Sequence, residues 1–168
     1  MRYRIVALFI GMLASRAAAA QTAQPKPEQL GAGQGYVFFA PGAVAASYGS
    51  SALLHFGGGI EARMYRGLGV GLELGMLGPP HAIGAGFGIF SVDALYTFGR
   101  RSAKLSPFVT GGYSLAFREG VASGVNFGVG AHYWFSRRVG LRFEARDHVM
   151  VAYRDAHFLG ARVGLAFR

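Results

Sequence analysis

No cysteine occurs in the 168 residues, so no disulfide can staple the fold. After the first twenty residues or so, no apolar run reaches the ~20 residues that a spanning helix needs. The glycine runs contain neither G-x-G-x-x-G nor G-x-x-x-x-G-K-[ST], which removes the basis for a nucleotide site. Histidines lack the HxxH type of spacing, so no metal and no cofactor are expected. Glycine is abundant at 27 residues but shows no G-X-Y period, which excludes collagen, and 14% aromatics exclude a low-complexity chain.

What is present begins with the N-terminus. Arg2 and Arg4 precede an apolar run from Ile5 to Ala14, and Ala17 to Ala20 supply small residues, so residues 1–20 read as a secretory signal. The A-x-A pattern of Ala18 and Ala20 places cleavage after Ala20, and the absence of an Arg-Arg pair favours the general secretion route. Residues 21–32, polar and broken by Pro25 and Pro27, read as a flexible periplasmic lead. The formal charge of +9 would ordinarily suggest nucleic acid. Export argues against that and points to anionic lipid head groups.

The rest is organised around Asn126 to Asp147. Phe127, Val129, Ala131, Tyr133 and Phe135 alternate with Asn126, Gly128, Gly130, His132 and Trp134, a period of two. Beyond Ser136-Arg137-Arg138 the alternation resumes, with Leu141, Phe143 and Ala145 against Arg142, Glu144 and Arg146. A water-soluble sheet would bury the apolar face, yet here the charged face also carries the glycines. The inverted arrangement, apolar residues toward lipid and ions inside a closed barrel, fits better. A mean hydropathy of +0.30 without a spanning helix agrees with a signal spread over many short segments.

In chain order, a first strand is expected from Gly33 to Ala40, its facing left open by aromatics on both parities, and Pro41 to Ser51 reads as a loop. His55 to Tyr65 sets Phe56, Ile60, Ala62 and Met64 against Glu61 and Arg63. After a tight Arg66-Gly67 turn, Val70, Leu72 and Leu74 face away from Glu73. Following Pro79-Pro80, a strand from Ile83 to Phe98 opposes Val92 and Tyr96 to Ser91 and Asp93. Its glycine-rich first half requires either a bulge or an aromatic ring packed over glycine. Pro107 to Arg118 adds a strand with Arg118 on the inner side, and the closing strand puts Leu159, Ala161, Val163, Leu165 and Phe167 outward with Arg162 inward. With the two strands of the Asn126 hairpin this makes an all-β, eight-stranded antiparallel up-and-down transmembrane barrel over residues 33–168.

The signal segment, the eight alternating segments, the hairpin NFGVGAHYWFSRRVGLRFEARD and the last strand ARVGLAFR together resemble the OmpA/OmpX-like eight-stranded outer-membrane β-barrel domain family. The resemblance covers about Gly31 to Arg168, with one departure: Phe167 is penultimate, whereas the family's assembly signal ends on the aromatic. It implies an outer-membrane location, with outer-membrane lipids, lipopolysaccharide and the barrel-assembly machinery as partners, no nucleic acid, and a monomer. Cell-wall tethering, which needs an added domain, is not implied.

The inward ionisable set is Glu61, Arg63, Glu73, Asp93, Arg118, His132, Arg142, Glu144, Arg146 and Arg162. It is read as a packed plug in which the ions pair, since an eight-stranded interior is only wide enough for side chains. An ion or water gate is the alternative. A lipid A-modifying enzyme is the rival class, but the His-x-Ser arrangement of such barrels is missing at His132, His148 and His157. Asp147, His148, Asp155 and His157 flank the last loop and are read as rim polarity rather than a metal site. Tyr96, Phe98, Tyr113, Tyr133, Phe135 and Phe167 suit interfacial girdles. A soluble lipocalin-like barrel is the competing fold. The role expected is structural or envelope-stabilising, with surface interaction second and conductance third.

Overall fold

β-branched and aromatic residues alternating with glycine or polar residues favour extended chain, and the two-residue period leaves each strand one oily edge to hide. The computed structural model describes residues 33–46, 49–100, 103–150 and 156–168. The expected signal (1–20) and lead (21–32) lie outside the described residues. Eight strands follow in order: β1 (Gly33–Ala46), β2 (Gly49–Tyr65), β3 (Leu68–Gly78), β4 (Phe87–Thr97), β5 (Leu105–Phe117), β6 (Val121–Trp134), β7 (Val139–Met150) and β8 (Ala156–Phe167). Each pairs antiparallel with its neighbour, and β1 pairs β8 to close the barrel. Closure leaves no strand edge with unpaired backbone groups, which is what a chain without disulfides and a wall without water require.

The apolar side chains point out. Phe143 is 48% exposed and Val163 45%, whereas Arg142 is 1% and Glu144 4% exposed. A soluble barrel would reverse those numbers, so the lipocalin-like alternative is excluded. Strand β1 resolves the same way: Val37 and Phe39 lie outside while Tyr36 and Phe38 are buried within.

Several boundaries differ from the sequence reading. Pro41 to Ser51 is largely strand rather than loop, because the small residues from Gly42 to Ala46 pair in register with Ser50 to Leu53 and Gly49. Pro41 is accommodated opposite Leu54 on β2, while the β1–β8 ladder runs from Phe39 to Gly42 without it. The fourth strand starts at Phe87, since Ile83–Ala85 forms a single 3-10 turn after the prolines. The seventh continues through Asp147 and His148 to Met150. In β4 no bulge is needed: Phe87 and Ile89 turn inward, and the Phe117 ring of β5 lies over outward-facing Gly88.

Alternate connections fall at opposite ends. At one end are the β2–β3, β4–β5 and β6–β7 turns, with Gly33 and Arg168 beside them. Arg66 (φ 45°) and Gly67 (φ 89°) both adopt left-handed backbone, the conformation that matches hairpin twist. Tyr65, Tyr96, Phe98, Tyr133, Phe135 and Phe167 are exposed at this turn end. Tyr113, by contrast, sits mid-wall between Val92 and Val125, so it is no part of a girdle.

Candidate functional site

The inner parity of each strand builds one column of ions along the barrel axis. Four carboxylates, Glu61, Glu73, Asp93 and Glu144, and four guanidiniums, Arg63, Arg142, Arg146 and Arg162, are all buried there. The column is therefore neutral in formal charge. Removing ions from water costs several kcal/mol each unless they are paired and hydrogen-bonded. The chain meets that condition by sending arginines from β7 and β8 to carboxylates on the facing wall.

Arg142 Nη1 donates to Glu61 Oε1 of β2 at 2.6 Å, and its Nε to Glu144 Oε2 at 3.1 Å. Arg146 Nε reaches Glu144 Oε1 at 2.6 Å, and its Nη1 reaches Asp93 Oδ2 of β4 at 2.8 Å. Arg162 Nη1 donates to both oxygens of Glu73 on β3, at 2.9 and 2.7 Å. Every carboxylate has more than one claim on it: Tyr36 Oη donates to Glu73 at 2.7 Å, Gln34 Nε2 to Glu61, and Asn126 Nδ2 to Asp93 at 2.8 Å. Rings line the guanidiniums. Arg142 Cζ lies 4.1 Å from the Tyr36 centroid and 4.3 Å from that of Phe108, and Arg162 Cζ lies 4.3 Å from that of Phe38.

Nine of the ten residues expected in the column are buried inside the barrel. Arg63 is buried on β2, and His132 on β6 has Nε2 3.0 Å from Arg142 Nη1. Arg118 is the exception and corrects the sequence reading. It lies just past the end of β5, exposed, and donates to the Ala85 carbonyl of the neighbouring loop. Parity placed it inward only as long as the strand continued.

The column also recruits groups that the sequence reading did not assign. Tyr36 and Gln34 were missed because the facing of the first strand was open. His148, read as rim polarity, is buried in the lumen, since β7 keeps its parity past Arg146. It does not converge with its neighbours into a metal site. Asp147 Oδ2 and His157 Nδ1 meet at 2.8 Å on the outer face, and Asp155 lies outside the described residues. Among the described residues no cluster of ligating side chains suits a metal ion.

One buried constellation has the residue types of a hydrolase. Ser114 Oγ is 3.0 Å from His148 Nδ1, 2.8 Å from Ser91 Oγ, and 3.0 Å from Asn126 Nδ2. Its wiring opposes nucleophile activation. Arg162 Nη2 lies 2.9 Å from His148 Nε2 and can only donate, which fixes the imidazole proton on Nδ1, facing Ser114. A base must have that nitrogen free to accept the serine proton. Apolar and aromatic side chains also lie on either side of the group.

At the loop end, Leu77, Ile89, Ala116, Ala122 and Met150, backed by Leu53, Phe87 and Phe158, form a dry cap. Toward the turn end Trp134 is buried with Tyr36 and Ala166 and stacks on His132 with centroids 5.6 Å apart, while Arg168 Cζ lies 4.0 Å from the Trp134 ring. Between column and cap there is a void of about 20 Å3 lined by His55, His148, Leu77 and Phe158. That is room for about one water molecule.

No known family profile and no curated protein sequence matches the chain. Solved structures do. Neisserial surface protein A aligns over 83% of this chain and 99% of its own, with a TM-score of 0.68 at 15% identity. Ail, the attachment invasion locus protein of Yersinia pestis, covers 83% and 99%, with a TM-score of 0.60 at 14% identity. The N-terminal β-barrel domain of Pseudomonas aeruginosa OprF covers 81% and 98%, with a TM-score of 0.56 at 19% identity. Eight antiparallel strands closed in chain order, apolar outside and charge-paired within, thus give this chain the fold of the small OmpA/OmpX-like outer-membrane β-barrels.

Proposed function

We propose that this chain is a small, non-enzymatic integral protein of the bacterial outer membrane, exported with a cleaved signal, with a structural, envelope-stabilising role. Its β2–β3, β4–β5 and β6–β7 turns face the periplasm, it sits among outer-membrane lipids and lipopolysaccharide as a monomer, and the barrel-assembly machinery inserts it. One observation carries the reading. Among the described residues the interior is filled by a neutral, cross-wall ion column with apolar side chains beyond it, which supports a structural role over conduction or catalysis. What remains is a rigid, oily-walled cylinder. Membrane fractionation followed by a heat-modifiable gel shift tests it. Recovery as a soluble periplasmic protein with no shift would sink the proposal, and altered lipid A masses on expression would replace it with an enzyme.

Surface interaction is the second reading. It is favoured by the likeness to Ail, described as an attachment invasion locus protein. Adhesion of cells with and without the protein separates the two.

A further inference from the structure

The two ends of the barrel differ in charge. Among the described residues, the turn end carries exposed Arg66, Arg100, Lys104, Arg137 and Arg138 and no exposed carboxylate side chain, whereas the loop end mixes Arg118 with Glu119, Asp147 and His157. Like charges on so narrow a rim repel one another, and the ion column cannot neutralise them because its own charges already cancel. Among the described residues no carboxylate side chain at this end neutralises them, which leaves them open to an anion from outside.

Directly above part of this rim the outer wall is indented. Val37, Phe39, Leu141, Val163 and Leu165 border a shallow, open apolar groove in which Gly164 and Phe38 also lie. Leu141 follows Arg138 along β7 by ~10 Å at the usual strand rise. Arg137 and Arg138 therefore stand at the foot of the groove. The turn that presents them is held by the Ser136 side chain, whose Oγ accepts from the Arg138 N–H at 3.2 Å and from the Val139 N–H at 2.9 Å. Both guanidinium side chains remain exposed.

We propose that this corner is a binding site for an anionic glycerophospholipid of the leaflet at the turn end. The phosphodiester is held by Arg137 and Arg138, and one acyl chain lies in the groove between β7, β8 and β1. The chemistry selects this occupant. The groove takes only an apolar chain, guanidinium forks match phosphate oxygens, and the two lie one lipid's reach apart. The inference rests on the membrane reading above and deepens it.

The test is native mass spectrometry of the full, detergent-refolded barrel titrated with phosphatidylglycerol, phosphatidylcholine or lipopolysaccharide. Insertion into phosphatidylcholine vesicles and the heat-modifiable shift are checked first. Failure there defeats the membrane reading, while a barrel that inserts and shows no lipid preference defeats only this inference. At roughly fivefold per cation near an anionic surface, phosphatidylglycerol should bind at least tenfold more tightly than phosphatidylcholine, and salt should weaken the difference. Arg137→Gln with Arg138→Gln should abolish that preference while keeping the gel shift, and Arg66→Gln with Arg100→Gln should keep most of it. Equal binding of the two phospholipids, an undiminished preference in the Arg137/Arg138 variant, or displacement of phosphatidylglycerol by lipopolysaccharide from this rim would each overturn the assignment.

Discussion

Arg162 on β8 donates through Nη1 to both carboxylate oxygens of Glu73 on β3, spanning the lumen between walls that share no backbone pairing. Glu73 also accepts from Tyr36 at 2.7 Å and lies 3.5 Å from Arg146 Nη1, so one carboxylate serves two arginines and a phenol. Glu73→Gln would leave those cations buried with a neutral partner. It should lower the unfolding free energy by about 3–5 kcal/mol, read from urea unfolding in vesicles. Arg162→Met alone should cost a similar amount. The double variant should cost clearly less than the sum, because it removes both charges of the pair. Additive losses would mean that the ions do not act as a pair.

The glycines separate into those that close strand approach requires and those it does not. A Cβ on Gly112 would come within 2.8 Å of Asp93 Cα on the adjacent strand, a backbone obstacle with no freedom to yield. On Gly120, in the β5–β6 turn, an added Cβ meets nothing. Gly88 is intermediate, since its obstacle is the Phe117 ring, which can swing away. Alanine substitution should thus be most damaging at Gly112, at about 2–3 kcal/mol as for an overpacked core. It should cost under about 1 kcal/mol at Gly88 and almost nothing at Gly120. Chemical denaturation of the three variants side by side gives the ranking, and an equal loss at Gly120 and Gly112 would contradict it.

Planar-bilayer recording should find no steady current through the wild-type barrel. Inside the barrel, an ion entering from the loop end meets Leu77, Ile89 and Met150 before it reaches the ion column, and an apolar stretch of that kind is a barrier in itself. Arg142→Ala should therefore leave the barrel silent, though less stable, because removing a charge from the column does not remove the cap. Steady wild-type current that Arg142→Ala abolishes or alters would restore the gate reading.

Most of this architecture was legible because a strand's parity is a strict rule: once Leu141 and Phe143 are assigned outward, Arg142, Glu144 and Arg146 must be inward. Parity fails where a strand's length is misjudged. Continuing β5 one residue too far puts Arg118 inside, and stopping β7 too early leaves His148 at the rim. Tyr36 was illegible for a different reason. Tyr36-Val37-Phe38-Phe39 is apolar on both parities, so only the partner strands decide that Tyr36 reaches Glu73. Which arginine meets which carboxylate depends on the stagger of strands far apart in sequence, and no local pattern encodes that.

The outward face supplies the most direct check on the surrounding solvent. Val163 lies mid-wall between Phe143 of β7 and Phe39 of β1, with 45% of its surface open, and Val121 lies at the start of β6 by the loop end, 73% open. On a water-soluble barrel both positions would be ordinary surface, and arginine at either would change stability by less than about 0.5 kcal/mol. In a bilayer the penalty depends on depth: about 2–4 kcal/mol for Val163→Arg near the hydrocarbon midplane, and about 0–1 kcal/mol for Val121→Arg, whose side chain reaches the head groups. Reversible unfolding in vesicles of fixed composition measures both, and shortening the acyl chains should shrink the Val163→Arg penalty as the charge comes nearer to water. If the two variants cost the same and neither responds to chain length, the apolar wall is not in contact with lipid.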